Sequence, residues 1–181
     1  MKLLGIDPGS FNCGYGLIEC RNALRVTRHA SSTYRYLASG RIVLPPKKPL
    51  HERLKELYSG LVEVIGEYRP DEIIVEKMFF AKGVKAALSL GHARGVVLIA
   101  ASLTNLPLFE YSALEVKKAV VGYGRADKNQ VQHMVREILK IPHHLSPDSA
   151  DALALALCHA HSRQLTAQTG KRYPNPAISA E

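Results

Sequence analysis

The chain has 181 residues, of which 46% are hydrophobic and 22% charged, a size and composition typical of one soluble globular domain. The formal net charge of +8 favours a polyanion such as nucleic acid as a partner. The three cysteines lack CxxC spacing, which argues against a disulfide framework or a zinc site. No signal-peptide pattern opens the chain, and the apolar stretch 96–103 is too short to span a bilayer. We therefore expect a cytoplasmic protein that makes no membrane contact.

The positive charge is segregated along the sequence. Residues 21–53 contain eight Lys and Arg residues against a single acid, Glu52. Residues 77–109 contain four basic residues and no acid. A concentrated basic surface is what binding to a phosphate backbone requires.

The first ten residues place a carboxylate at the end of a predicted strand. The apolar run 3–6 leads to Asp7, and Pro8-Gly9 then ends the strand, because proline has no N–H to donate and glycine permits a tight turn. The carboxylate faces a glycine-rich turn at residues 14–16. Open α/β sheets bind ligands at the carboxyl ends of their strands. Asp7 is therefore a candidate site residue, although a solvated turn residue would give the same local pattern.

The remaining elements follow from periodicity and turn signals. Strands are predicted at 14–20 and about 24–44, and the first of these should pair antiparallel to the opening strand because the turn is short. Two further strands are predicted at 71–76 and 106–111. Helices are predicted from Leu50 to the residue before Arg69, at 84–103, after a cap at Ser112, and at 128–140. A last helix is predicted at 150–161, with Ser146 as its cap and Pro147 in its first turn. Gly91 and Gly95 would allow close packing of the 84–103 helix, either within one subunit or between two.

A second predicted strand also ends on an acid. Residues 73–75 are apolar and lead to Glu76, and this strand follows a helix, so we expect it to run parallel to the opening strand. The carboxyl ends of parallel strands meet at one edge of a sheet. Glu76 is therefore expected beside Asp7.

Two more acids lie three residues apart at the start of the last predicted helix. Asp148 and Asp151 would project from the same face. Acids at a helix N-terminus are favourable without any further role, because they complement the helix dipole. This helix, however, is apolar nearly all round and must be buried. If it packs beside the opening strand, four carboxylates converge and raise one another's pKa values unless divalent cations neutralise them.

Oxygen-only ligands suit Mg²⁺ or Mn²⁺ better than zinc. In a two-metal site the ions lie about 3.5–4 Å apart, where they activate a water and stabilise the leaving oxygen of a phosphodiester. A basic surface around an acidic, metal-binding cleft is what cleavage of a nucleic acid requires. The residues alone therefore favour a nuclease.

Several motifs, in the same order along the chain, resemble the RuvC-type Holliday junction resolvases. They are Gly5-Ile6-Asp7-Pro8-Gly9-Ser10 with Gly14-Tyr15-Gly16, Ile74-Val75-Glu76-Lys77-Met78-Phe79, Gly91-His92-Ala93-Arg94-Gly95, Lys117-Lys118-Ala119-Val120-Val121-Gly122, Lys128-Asn129-Gln130-Val131-Gln132-His133-Met134-Val135 and Asp148-Ser149-Ala150-Asp151-Ala152-Leu153-Ala154. The resemblance runs from residue 1 to about 161, is weakest between 21 and 50, and is absent from 162–181.

The resemblance implies an α/β, RNase H-like fold over residues 1–161. It predicts a mixed five-stranded sheet, the first three strands antiparallel and the others parallel, with helices on both faces. The polar, patternless residues 162–181 are expected, from their composition alone, to form a disordered tail. It also implies a homodimer that acts on four-way junction DNA. That dimer would nick two strands of like polarity symmetrically, leaving 5′-phosphate and 3′-hydroxyl ends, and the resemblance suggests that a branch-migration motor docks on it.

The resemblance also assigns roles to individual residues. The metal-binding catalytic acids are Asp7, Glu76, Asp148 and Asp151. Asp7 would be the ligand shared by two Mg²⁺ ions, with Mn²⁺ as a substitute. Lys117 and Lys128 match basic residues that contact phosphate, and Phe79 matches an aromatic residue that stacks on a base near the junction centre. A solvated helix face would equally explain the two lysines, and core packing would explain Phe79.

Two other classes of function remain open at this point. An actin-like phosphotransferase domain also opens with a strand, an aspartate and a glycine turn, but such proteins need two domains around a nucleotide, and 181 residues supply one. A non-catalytic junction- or RNA-binding module would fit the charge. It would gain nothing, however, from carboxylates clustered beside a phosphate.

Overall fold

A computed structural model describes residues 1–21, 34–77 and 83–169. The strands are β1 (Lys2–Pro8), β2 (Asn12–Cys20), β3 (Tyr34–Val43), β4 (Glu72–Glu76) and β5 (Leu108–Tyr111). The helices are α1 (Leu50–Tyr68), α2 (Val84–Leu103), α3 (Ala113–Val121), α4 (Lys128–Leu139) and α5 (Pro147–Thr169).

The five strands form one mixed sheet in the order β3-β2-β1-β4-β5. The pairs β1–β2 and β2–β3 are antiparallel, the first of them joined by a short turn. Helix α1 leads from β3 to β4 and helix α2 from β4 to β5, and the pairs β1–β4 and β4–β5 are parallel, as helical crossovers allow. The predicted mixed sheet is therefore confirmed, with β1 at its centre.

Each face of the sheet carries its own hydrophobic core. Side chains alternate between the two faces along a strand, so Leu3 and Ile74 pack towards α3, α4 and α5. Leu4, Ile6 and Val75 pack on the other face, towards α1 and α2. The prediction of helices on both faces is confirmed.

Helix α5 lies directly on a floor of glycines in β1 and β2. Gly5 and Gly16 are paired across the two strands, and a Cβ added at Gly5 would collide with the carbonyl oxygen of Ala152. A Cβ added at Gly16 would lie 2.6 Å from Cγ of Leu153. The absence of side chains here lets the helix backbone approach the sheet closely.

A buried polar network holds the middle of α5 to β4 and β5. His159 is fully buried, and burial lowers its pKa against the opposing effect of Glu72. The neutral ring donates from Nε2 to the Glu72 carboxylate at 2.6 Å and accepts at Nδ1 from the Tyr111 hydroxyl at 3.0 Å. Arg163 also pairs with Glu72, so the buried carboxylate is satisfied on two sides.

The sequence-based prediction for the end of α5 is wrong. The helix does not stop at His161 but continues to Thr169, because Arg163 pairs with Glu72 and Gln164 accepts a hydrogen bond of 2.9 Å from the Tyr34 hydroxyl. Residues 162–169 therefore do not belong to a disordered tail. Residues 170–181 of that predicted tail lie outside the described residues, as does the 24–33 part of the predicted third strand, and the domain boundary at residue 161 stays a prediction.

The start of α5 follows the predicted capping pattern. The helix begins at Pro147, and the Ser146 hydroxyl accepts a hydrogen bond of 3.2 Å from the backbone N–H of Ser149. Ser112 and Asp127 likewise cap α3 and α4, each within a complete capping box. Side-chain caps satisfy the N–H groups that a helix start leaves unpaired.

Helix α2 is unusually apolar for its exposure. It is the one helix of the described residues whose length and composition would suffice to cross a membrane, although its apolar stretch 96–103 alone is too short. Its buried face, with Ala93, Val97 and Ala100, packs into the core shared with α1 and β1, and Arg94 donates to the carbonyl oxygen of Glu76 at 2.9 Å. The helix is therefore part of the domain.

We expect Gly5→Ala to lower the free energy of unfolding by about 2–3 kcal/mol, because the added methyl group must push α5 off the sheet. Urea unfolding measures the change. Gly66→Ala in α1 is the matched control, because a Cβ there meets nothing within 4 Å and should leave the stability unchanged or raise it by up to about 1 kcal/mol. An equal effect of the two substitutions would contradict the close contact between α5 and β1.

Candidate active site

Asp7 and Glu76 end neighbouring parallel strands. Ile6 lies opposite Val75 in the β1–β4 register, so the next residue on each strand reaches the same edge of the sheet. Neighbouring strands are about 4.8 Å apart, and both acids point to the face that α5 covers. The structure thus brings these two predicted site residues together.

The first turn of α5 brings the other two acids to the same edge. Gly14 pairs with Asp7 across β1 and β2, and a Cβ on Gly14 would collide with the backbone of Asp148. Because this position is glycine, the helix start lies against the sheet beside Asp7. Asp151 follows one turn later on the same side of the helix.

These residues enclose a pocket of about 130 Å³. Its lining includes the carboxylates of Asp7, Glu76 and Asp151 and the lysines Lys117 and Lys128, above an apolar base formed by residues of α3, α4 and α5. Five of the seven predicted site residues therefore share one pocket.

Asp148 lies beside this pocket rather than in its lining. Its Oδ2 atom is 3.9 Å from Nη1 of Arg41, and its negative charge still acts on Asp7. The remaining predicted residue, Phe79, lies outside the described residues.

The pKa of Asp7 depends on the neighbouring acids. Burial, followed by the charges of Asp151, Glu76 and Asp148 in that order, raises the pKa of the Asp7 carboxyl to about 7, against an opposing effect of Lys128. Burial and Asp151 also raise the pKa of Glu76. Without a bound cation, the positive side chains nearby do not fully neutralise the carboxylates.

The lysines reduce this charge imbalance from one side of the pocket. Nζ of Lys128 is 3.3 Å from Oδ2 of Asp151, and the charge and hydrogen bond of Asp151 raise the pKa of Lys128. Lys117 and Lys128 both lower the pKa of Glu76. Both lysines therefore lie where a phosphate group in the pocket could reach them.

The donor set fits hard divalent cations. The acids offer only carboxylate oxygens, and Cys13 is no competing ligand, because burial together with Asp7 and Asp148 raises the pKa of its thiol to about 12. Within residues 1–21, 34–77 and 83–169, no three Asp, Glu, His or Cys side chains are already arranged to bind one metal ion. Asp148 and Asp151 instead point to Arg41 and Lys128, so ligation requires these two carboxylates to exchange a cationic side chain for a metal ion.

An RNase H-like sheet with clustered acids at its central strand ends, flanked by lysines in a basic chain, defines a nuclease. The family model of the crossover junction endodeoxyribonuclease RuvC matches residues 3–159. The crossover junction endodeoxyribonuclease RuvC of Shewanella sp. (strain W3-18-1) is 45% identical over 170 residues, which are 93% of this chain and 92% of that relative.

Solved structures give the same result. Thermus thermophilus RuvC in complex with a Holliday junction substrate superimposes with a TM-score of 0.81 at 34% identity, covering 91% of this chain and 96% of that one. A second structure of Thermus thermophilus RuvC gives 0.79 at 33% identity, with 97% and 99% covered. The chain belongs to the RuvC family of crossover junction endodeoxyribonucleases. It is therefore a DNA hydrolase of crossover, or Holliday, junctions, and the phosphotransferase and non-catalytic alternatives are excluded.

The pKa of Asp7 predicts a pH-dependent stability in buffer that contains a chelator. The folded value of about 7 lies above the ordinary value of 3.8, so the folded state binds this proton more tightly than the unfolded state does. The resulting stabilisation is complete below pH 3.8 and is lost as the pH rises through about 7. Asp7→Asn should therefore exceed the wild type in free energy of unfolding by about 2–4 kcal/mol at pH 8 and by much less at pH 4.

Urea unfolding at both pH values measures this difference. Glu63→Gln, on the exposed side of α1, is the control and should change neither value. A difference between Asp7→Asn and the wild type that is the same at pH 4 and pH 8 would contradict the raised pKa.

Proposed function

We propose that this protein resolves four-way DNA junctions by hydrolysing one phosphodiester bond in each of two strands of like polarity, leaving 5′-phosphate and 3′-hydroxyl ends. The catalytic centre consists of four metal-binding acids: Asp7, Glu76, Asp148 and Asp151. The observation that carries this proposal is the pocket that Asp7, Glu76 and Asp151 line together, where partial burial and the charges of the neighbouring acids raise the pKa of the Asp7 carboxyl. Such clustering destabilises the free protein and becomes favourable when cations occupy the site.

The cofactor we propose is Mg²⁺, two ions per subunit, with Mn²⁺ as a substitute. The family is one of metal-dependent nucleases, and the all-carboxylate donor set suits these ions. When bound, the ions supply Lewis-acid activation of a water and stabilisation of the leaving oxygen. Asp7, at the end of the central strand and coupled to all three other acids, is the best placed to serve as a shared ligand.

The chain's own cations position the DNA strand. Lys117 and Lys128 line the pocket together with the acids, so a phosphate drawn into it meets two ammonium groups. Lys128, whose side chain is 77% exposed, can turn from Asp151 to that phosphate. Phe79, assigned from the sequence alone, is proposed to stack on a base at the opened centre of the junction.

We expect Asp7→Asn and Glu76→Gln to abolish metal-dependent cleavage of a mobile four-way junction while retaining its binding. Removing a charge from the metal site stops the hydrolysis, but the basic surface that binds phosphate is unchanged. A gel assay with labelled junction, with and without Mg²⁺, measures both steps. Glu63→Gln should cleave and bind like the wild type. Binding that falls in step with cleavage would assign the two acids a structural role instead.

A homodimer is the assembly that paired nicks require, and we propose that α2 forms its interface. The side of α2 opposite the buried face carries the exposed residues Val84, Leu88, Ile99 and Leu103. Between them lie Gly91 and Gly95, and a Cβ added at either meets nothing within 4 Å among the described residues. The described residues of this subunit therefore do not make the close packing that the two glycines allow, which favours a second copy as the partner.

We expect Ile99→Glu to convert the dimer into monomers and to uncouple the paired nicks, because it places a charge in the centre of the apolar face of α2. Sedimentation velocity measures the oligomeric state, and a cruciform plasmid distinguishes single nicks from paired ones. Val62→Glu, at an exposed apolar position of α1, is the matched control. A dimer that survives Ile99→Glu would contradict the assignment of α2.

The setting proposed for this reaction follows from the family resemblance. The protein would work in the cytoplasm, where the chromosomal DNA of its bacterial relatives lies, and a branch-migration motor would act with it on the junction.

A further inference from the structure

Arg41 reaches the catalytic edge from a part of the chain to which the sequence motifs assign no role. In the sheet it lies opposite Gly14, and Gly14 lies opposite Asp7. Residues paired in this way point to the same face of a sheet. Arg41 is therefore on the same face of the sheet as Asp7. It lies two strands away, so the two Cα atoms are roughly 9–10 Å apart, and Gly14 between them has no side chain to separate them.

The backbone around Arg41 is fixed to the helix that carries two of the acids. The Ser149 hydroxyl donates to the carbonyl oxygen of Gly40 at 3.0 Å, so β3 and the start of α5 are tied together at the residue before Arg41. The position of the guanidinium relative to Asp148 is thus set by two rigid elements rather than by a loop.

The guanidinium still has donors to offer. Its closest acidic atom, Oδ2 of Asp148, is 3.9 Å away, which is beyond hydrogen-bond distance, and the Arg41 side chain is 46% exposed. An arginine has five N–H donors in a planar fork that matches phosphate oxygens. The charge of Asp148 holds the guanidinium near the cleft, while the N–H donors of the guanidinium stay available to a phosphate.

The arrangement surrounds the acids with cations. Lys117 acts on Glu76 from the β4 side of the site, Lys128 acts on Asp151, and Arg41 lies on the β3 side. A DNA strand that crosses the edge of the sheet to reach the acids therefore passes the lysines on one side and Arg41 on the other.

We propose that Arg41 is a DNA-binding residue that contacts a phosphate of the cleaved strand next to the scissile one, on the β3 side of the acids. This inference rests on the proposed function, because it places the cleaved strand in the pocket of Asp7. On binding, the phosphate takes the place of Asp148 as the partner of the guanidinium and leaves that carboxylate to the metal site.

The salt dependence of junction binding, measured without divalent cation so that no strand is cut, tests the contact. Each phosphate neutralised contributes about 0.9 to the slope of log K against log salt concentration, so Arg41→Gln should reduce the slope by about that amount and weaken binding several-fold. Arg41→Lys, which keeps the charge, should retain the slope.

The matched control is Arg35→Gln on the same strand. Arg35 is a similarly exposed arginine paired with an acid, Glu19, and its loss changes the net charge equally. It should leave the slope unchanged. Equal effects of Arg41→Gln and Arg35→Gln, or no effect of either, would overturn the proposal.

Junctions with single neutral methylphosphonate linkages identify the phosphate concerned. A methylphosphonate on either side of the scissile phosphate should weaken binding by the wild type. For the Arg41→Gln variant, the methylphosphonate on one side only should no longer weaken binding. Retention of every penalty in Arg41→Gln would overturn the proposal even if the variant binds more weakly. Because these measurements need no cleavage, a wild-type protein that fails to cut the junction would refute the proposed function and not the Arg41 contact.

Discussion

The contact between α5 and the glycines of β1 and β2 is the constraint on which the proposed catalytic site depends. Gly5 and Gly16 let the helix backbone touch the sheet, and Gly14 lets its first turn do so beside Asp7. A larger residue at any of these positions would lift the helix and move Asp148 and Asp151 away from the strand ends. The geometry of the proposed site is therefore a consequence of core packing.

Bringing four acids together is electrostatically unfavourable, and well-satisfied contacts elsewhere in the structure offset this destabilisation. Partial burial and mutual repulsion of the carboxylates raise the pKa of Asp7, and Lys128 and Arg41 compensate only in part because exposed ion pairs are weak. Further along α5, the network of Glu72, His159 and Tyr111 is buried and well satisfied. Helix α5 therefore has one half held firmly in the core, while its first turn brings two negatively charged side chains to the edge of the sheet.

The sequence predicts those parts of the site that local patterns encode. An apolar run ending on an acid places Asp7 and Glu76 at strand ends, and a helix cap followed by two acids three residues apart places Asp148 and Asp151. The length of α5 was missed because residues 162–169 look polar and gain their helical structure from distant partners such as Tyr34 and Glu72.

Arg41 was missed for a different reason. Strand β3 contains one extra residue against β2, which shifts the register between Leu17 and Ile18. Without that bulge Gly14 would pair with Gly40, and Arg41 would point to the opposite face of the sheet, since a shift of one residue exchanges the faces. No periodicity in the sequence marks such an irregularity, so only the three-dimensional structure shows which arginine reaches the acids.

The central claim is that acids from β1, β4 and α5 jointly hold divalent cations. Anomalous diffraction from crystals soaked in Mn²⁺ tests it directly, because it locates the ions without any assumption about the reaction. The account predicts two peaks in the pocket, both in contact with the Asp7 carboxylate, and their loss in Asp7→Asn. A pocket without anomalous density while Mn²⁺ binds elsewhere on the protein would contradict it.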